Sequence, residues 1–264
     1  MKEPTSLRRL WLLIRNDAMA DYRSVAITAG AIAGVMLLTS LLSVLRGSGS
    51  PNFYMPWYYG LLFIWGAAVA SFSFRELHDK TKNEAYLLLP ASALEKTAAR
   101  LLRSTVIFFV FLLLFMTVTS ALIESFNWMV FDRRNGLFDA SQREVWAPVG
   151  HFLVVVSQYF LGAAWFRRLH FVKTAFALWV VTFLLACFAV ILTGVAFDAW
   201  DRSFDIDIDI DIDDGEAQAF FRANETLFDG AWKLIRVFYY FVLPVFCWYV
   251  AWLRVKETQT SHGV

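Results

Sequence analysis

The side chains able to do chemistry in this chain are few, and most of them crowd into one polar stretch. Arg75, Glu76, His78, Asp79, Lys80 and Glu84 follow one another with alternating sign, and the apolar run Ala85-Tyr86-Leu87-Leu88-Leu89 comes next. Pro90 then interrupts, because proline lacks an amide proton and restricts the residue before it. Ser92-Ala93-Leu94-Glu95 follows as an S-x-x-E capping box, in which serine and glutamate satisfy orphan amides at a helix start. The spacing predicts a short helix over 76–88, a proline elbow, and a second helix from Ser92. Leu94, Ala98, Leu101 and Leu102 would lie on one side of it, with Lys96, Arg100 and Arg103 on the rest. Exposed charge beside the apolar patch at 85–89 is docking chemistry, with nothing catalytic in it.

Other chemistries lack their residues. No G-x-x-x-x-G-K-[ST] occurs, so this chain has no phosphate cradle for ATP. Cys187 and Cys247 each sit inside an apolar run, where buried thiols are expected, and no Cys/His spacing suits a metal. The repeat FDIDIDIDIDDGE at 204–216 alternates isoleucine with aspartate, but it does not meet the spacing of a calcium loop. It reads as a solvated loop, with a strand edge or a weak cation site as alternatives. Gln158 lies in the middle of an apolar run and is expected to face protein or a cavity. His151 is nearer the start of that run, and Lys233 and Arg236 open another, where long basic side chains snorkel to headgroups. No chain of acids crosses the apolar segments, so an ion-driven pump is disfavoured and the energy source is expected outside the chain.

These residues must be positioned by apolar helices. Of 264 residues, 58% are hydrophobic and 18% charged, against a soluble norm of roughly 25% charged. The excess is gathered into runs of about 20 residues, enough to cross a hydrocarbon core roughly 30 Å thick. Six such runs are read, at 24–45, 53–74, 105–123, 145–166, 174–197 and 232–253. Continuous runs suit helices, whereas a barrel would alternate over about 10 residues. The fold class is therefore an all-α integral membrane protein of six transmembrane helices, forming one transmembrane domain over 1–264. Residues 1–23 form an amphipathic helix expected to lie on the membrane surface.

Lys and Arg number sixteen on the face holding both termini and the loop 75–104, against six in the opposite loops. That bias puts the termini in the cytoplasm. The acidic loop 198–231 falls outside. Gly30 and Gly34 form G-x-x-x-G in the first run, read either as a dimer face or as packing within one subunit. Aromatic residues at 53–60 and 126–131 suit a belt at the outer boundary.

An amphipathic first helix, six crossings and LLLPASALEKTAARLL after the second crossing together resemble the permease subunit of an ABC-2-type ATP-binding cassette transporter. The topology match covers the whole chain; the sequence match is confined to about 20 residues around Pro90, Ser92 and Glu95. The resemblance implies that this loop is a coupling helix seated in a cleft of a separate ATPase. Arg75, Glu76, His78, Asp79, Lys80 and Glu84 would meet the ATPase, while Pro90, Ser92 and Glu95 set the elbow. It further implies no cofactor on this chain, with ATP and magnesium on two partner ATPase copies. A second permease copy or a homologous permease, membrane lipid, and a bacterial cytoplasmic membrane location complete the expectation. No nucleic-acid partner is expected. A polytopic scaffold or sensor that recruits cytoplasmic partners without transport is the alternative.

Overall fold

The computed structural model describes residues 7–47, 49–75, 92–166, 169–202 and 225–261. Among them every regular element is helical and none is a strand. Helix α1 is one unbroken rod, Leu7–Leu45. The expected surface helix and first crossing are thus continuous, since no proline lies between them. A left-handed Gly47 follows its end, at φ 69°.

Helix α2 covers 54–71 in three parts: Tyr54–Gly60, a π-helical turn Leu61–Trp65, and Gly66–Ser71. Pro56 is tolerated because it sits in the first turn. Helix α3 is the 39-residue Ala93–Phe131, with a π-helical turn at Arg103–Ile107. Helix α4 is Arg143–Trp165, and α5 is His170–Arg202. Helix α6 covers 225–261 around a π-helical turn at Phe238–Val242.

Among the described residues five helical segments are long and apolar enough to cross a membrane: Asp21–Leu45, Ala93–Phe131, Arg143–Trp165, His170–Leu192 and Gly230–Thr258. This is the character of a multi-pass membrane protein. Five is one fewer than the six runs read from the sequence. The segment missing from the set is α2, where Pro56, Trp57, Tyr58 and Tyr59 dilute the aliphatic residues. Its aromatic content has a use, because Tyr54, Tyr58 and Leu62 are fully buried in the bundle. A helix shielded by its neighbours need not be as oily as one facing lipid.

Helix α3 also overruns its expected end at 123. Nothing in 124–131 stops a helix, and the rod continues until Asp132 takes a left-handed conformation at φ 54°. Glu124 and Asn127 therefore belong to the helix and not to a loop.

Helix α4 is the hub, packed against α2, α5 and α6, while the first turns of α3 pack on α1 and α6. Lipid tails are as apolar as leucine, so close packing rather than water exclusion must hold such helices together. Gly162 shows how tight this is: a Cβ there would overlap the side chain of Thr174 on α5. The stretch Gly66, Ala67, Ala70 and Ser71 is buried, and a Cβ on Gly66 would come within 2.7 Å of Phe152 on α4. Ser73 bonds back to the Val69 carbonyl at 3.2 Å, whereas the buried Ser71 hydroxyl has no acceptor among the described residues. From Val181 to Leu192, α5 is exposed, and this includes Cys187, expected to be buried; Cys247 is buried. Among the described residues no helix covers the face of α5 carrying Cys187.

Candidate functional site

The polar stretch read from the sequence ends on a built foot. Ser92 caps α3 through its hydroxyl, which accepts from the Glu95 amide at 3.2 Å. Glu95 reaches back, its carboxylate accepting from the Ser92 amide at 2.9 Å. Both halves of the capping box are thus present, a feature worth about 1 kcal/mol at the serine alone. The cap fixes the start of helix α3 at Ala93.

The next turns are unusual for a helix entering a membrane, because their charged residues point inward. Glu95, Lys96 and Arg100 are 4%, 2% and 7% exposed. Arg100 donates to the Ser73 carbonyl at the end of α2, and its guanidinium lies 5.7 Å from the Phe74 ring centre. Arg103 pairs with Asp21 of α1. That ion pair is partly open to solvent and contributes little stability, but it fixes register between α1 and α3. Phe74 stacks edge-on to Phe160 of α4 at 4.8 Å, and Ala251 and Val255 of α6 join the same core cluster. The foot of α3 is therefore tied to α1, α2, α4 and α6 at once. A displacement of the segment before Ser92 would reach four helices through it.

Arg75 is exposed at the end of α2. Glu76, His78, Asp79, Lys80, Glu84 and Pro90 lie outside the described residues, as does the Ile-Asp repeat at 205–213. The structure thus brings Ser92 and Glu95 together and places Arg75 near the same end. Gln158 is half-buried on α4. Gly30 and Gly34 are exposed on α1, and no described atom lies within 4 Å of a Cβ built at either. Packing within the subunit is thus not seen at these glycines among the described residues.

A second polar centre, missed by sequence reasoning, lies toward the other end of α3. The Glu124 carboxylate is 1% exposed. One oxygen accepts from Ser40 of α1 at 2.6 Å and from Tyr54 of α2 at 2.5 Å. The other accepts from the Asn135 amide at 2.7 Å and from the Asn127 side chain at 3.2 Å. The Asn135 side chain also donates to Ser40 at 2.9 Å. Every group facing Glu124 is a donor, the pattern an ionised carboxylate requires. Two helices, a loop and α3 itself are thereby knotted around one charge. The signal was in the sequence: Glu124 and Asn127 are three residues apart, on one helix face, inside an apolar stretch that continues to Phe131. Ending the run at 123 hid it.

Beyond the following loop, Asp139 accepts from the Ser141 amide at 2.9 Å, which holds its carboxyl below the ordinary aspartate range. Among the described residues no group of three His, Cys, Asp or Glu side chains is placed to hold a metal.

Comparison with known proteins leaves the reading to these residues: no family model, curated protein or solved structure matches the chain.

Proposed function

We propose that this chain is the membrane-spanning permease subunit of an ATP-driven exporter of the ABC-2 type. In this reading α2 is a sixth crossing, shielded by its neighbours, and both termini are cytoplasmic. The single observation that carries it is the junction of the polar loop with the foot of α3. The charged stretch 75–84 leads through Pro90 into a capped helix whose buried Lys96 and Arg100 lock it among α1, α2, α4 and α6. A loop that only linked two crossings would need no such foundation, and the turn between α4 and α5 is only a few residues long.

The mechanism follows from that mechanical link. A separate ATPase subunit grips 75–89, closes on ATP and magnesium, and moves the elbow. The capped foot passes the movement into the bundle, and two permease copies alternate access between them. This chain supplies no nucleotide chemistry. Residence in a bacterial cytoplasmic membrane belongs to the same proposal.

The test is purification of the intact complex from its native membrane in mild detergent. A P-loop ATPase should co-purify, and reversing the charges of Glu76, Asp79 and Glu84 together should release it and abolish ATP-dependent export. An intact particle without any nucleotide-hydrolysing subunit would sink the proposal and favour a scaffold or sensor instead.

A further inference from the structure

A third polar group stands apart from both centres. His151 of α4 lies between two consecutive tyrosines of α6: its Nε2 is 2.7 Å from the Tyr240 hydroxyl and its Nδ1 is 3.3 Å from that of Tyr239. Neighbouring residues on a regular helix point about 100° apart. The π-helical turn Phe238–Val242 contains both tyrosines and accompanies their common approach to one imidazole. Gly150 makes room, since a Cβ there would come within 2.9 Å of the Tyr240 ring. The imidazole is exposed on the flank of the bundle.

Counting protons shows what this group lacks. A neutral imidazole has one N–H and one lone pair. It donates to one phenol oxygen and accepts from the other phenol. The phenol that accepts keeps its own O–H, and no acceptor for it exists among the described residues. Were the ring doubly protonated, both N–H groups would donate and two O–H groups would remain. In either state at least one donor points out of the protein. His151 is eight residues into Arg143–Trp165 and Tyr240 ten residues into Gly230–Thr258, roughly 12–15 Å along each apolar helix. That level is the border between headgroups and hydrocarbon, where water is scarce, lipid ester carbonyls are at hand, and an unmade hydrogen bond is costly.

Cations stand above it. Arg236 and Lys233 are exposed on α6, four and seven residues before Tyr240, and therefore on the same side of the helix. Phe241, Val245 and Phe246 continue below as exposed apolar surface. Descending the flank, the order is positive charge, hydrogen-bond donor, hydrocarbon. A phospholipid presents phosphate, ester carbonyl and acyl chain in the same order. We infer that the flank formed by Lys233, Arg236, Tyr239, Tyr240 and His151 is a binding site for one membrane phospholipid, with its phosphate at the two cations and an ester carbonyl at the free phenol. The inference goes beyond the transport reading and stands without it, since it needs only that α4 and α6 are embedded in lipid.

The test uses the full chain in phosphatidylcholine nanodiscs doped with a photoreactive phosphatidylglycerol whose diazirine lies beside the ester. Labelled peptides are mapped by mass spectrometry. Labelling should concentrate on 147–155 and 233–246 over the more exposed 176–192 of α5. It should fall by about threefold or more in Lys233→Ala with Arg236→Ala, and likewise in Tyr239→Phe with Tyr240→Phe, as loss of one charged or neutral hydrogen bond implies. The two cations are exposed, so thermal unfolding should be unchanged in their pair; the tyrosine pair keeps its rings but loses both bonds to His151, so its labelling is measured well below its own unfolding temperature. Equal labelling of the two faces, or labelling unmoved by either pair, overturns the site. A phosphate-free photoreactive diacylglycerol should label weakly; labelling as strong as the phospholipid's overturns the phosphate assignment. Competition by inorganic phosphate alone would reassign the cations to a free anion and overturn the lipid.

Discussion

Helix α3 buries polar side chains at both ends, by two different strategies. Toward Phe131, one carboxylate is surrounded by neutral donors from Ser40, Tyr54, Asn127 and Asn135, all from this chain. Toward Ala93, several charges of both signs sit among four helices, one step from a polar loop. The first arrangement is closed and has the marks of a structural knot. The second follows in sequence from the charged stretch 75–84, which in the proposed function meets a partner. Buried charge alone therefore does not mark a working site; what distinguishes the foot is that the charged stretch 75–84 and Pro90 lead into it in sequence.

The contrast can be broken most forcefully at Glu124. Replacement by alanine leaves several buried donors without an acceptor and should cost about 3 kcal/mol or more. Thermal unfolding in detergent checks this. Glu124→Gln should recover only part of the loss, because its amide would aim a donor at donors. Full stability in either variant would show the knot to be ornamental. At the foot, Arg100→Ala removes the bond to Ser73 and the contact with Phe74. A loss of roughly 2 kcal/mol is expected, together with weakened ATPase co-purification that no Glu124 variant retaining its fold should show. If both ends weakened the ATPase equally, the distinction between them would fail.

Smaller again is Ser92→Ala, which removes one half of the capping box. It should destabilise the start of α3 by about 1 kcal/mol, read as faster amide exchange at Glu95 with the far end unaffected. The smallest effect belongs to Asp139. Its carboxyl is held below the usual aspartate value by Ser141, so the turn is supported above the unfolded pKa and loses that support as pH falls through the folded one. Exchange of the Ser141 amide should accelerate in that acidic window, without global unfolding because the group is exposed.

Much of the scaffold was legible, for identifiable reasons. Long apolar runs set five of the helices, and the S-x-x-E signature located the start of α3 because capping is a local interaction among four residues. The second run was read from apolarity, yet Tyr54, Trp57 and Tyr58 make it a core helix whose value lies in contacts no single sequence displays. Glu124 escaped because a charge suggests a loop when its partners, Ser40 and Asn135, are 84 and 11 residues away. Cys187 was misjudged for the converse reason, since an apolar neighbourhood in a membrane chain is as often lipid-facing as buried. The Tyr239–Tyr240 pairing with His151 depends on a π-helical turn, which the aromatic run at 238–241 does not announce.

One dimension of α3 has a consequence for where this molecule can live. Twenty-eight residues separate Lys96 from Glu124, a climb of about 42 Å, close to the roughly 40–45 Å of a bilayer with its headgroups. The rod is in effect a gauge, marked at each end by ionic side chains. Both marks are sealed inside the bundle, and between them the exposed apolar residues from Val106 to Met129 meet the lipid, so stability in reconstituted vesicles should have an optimum at the tail length that matches this band.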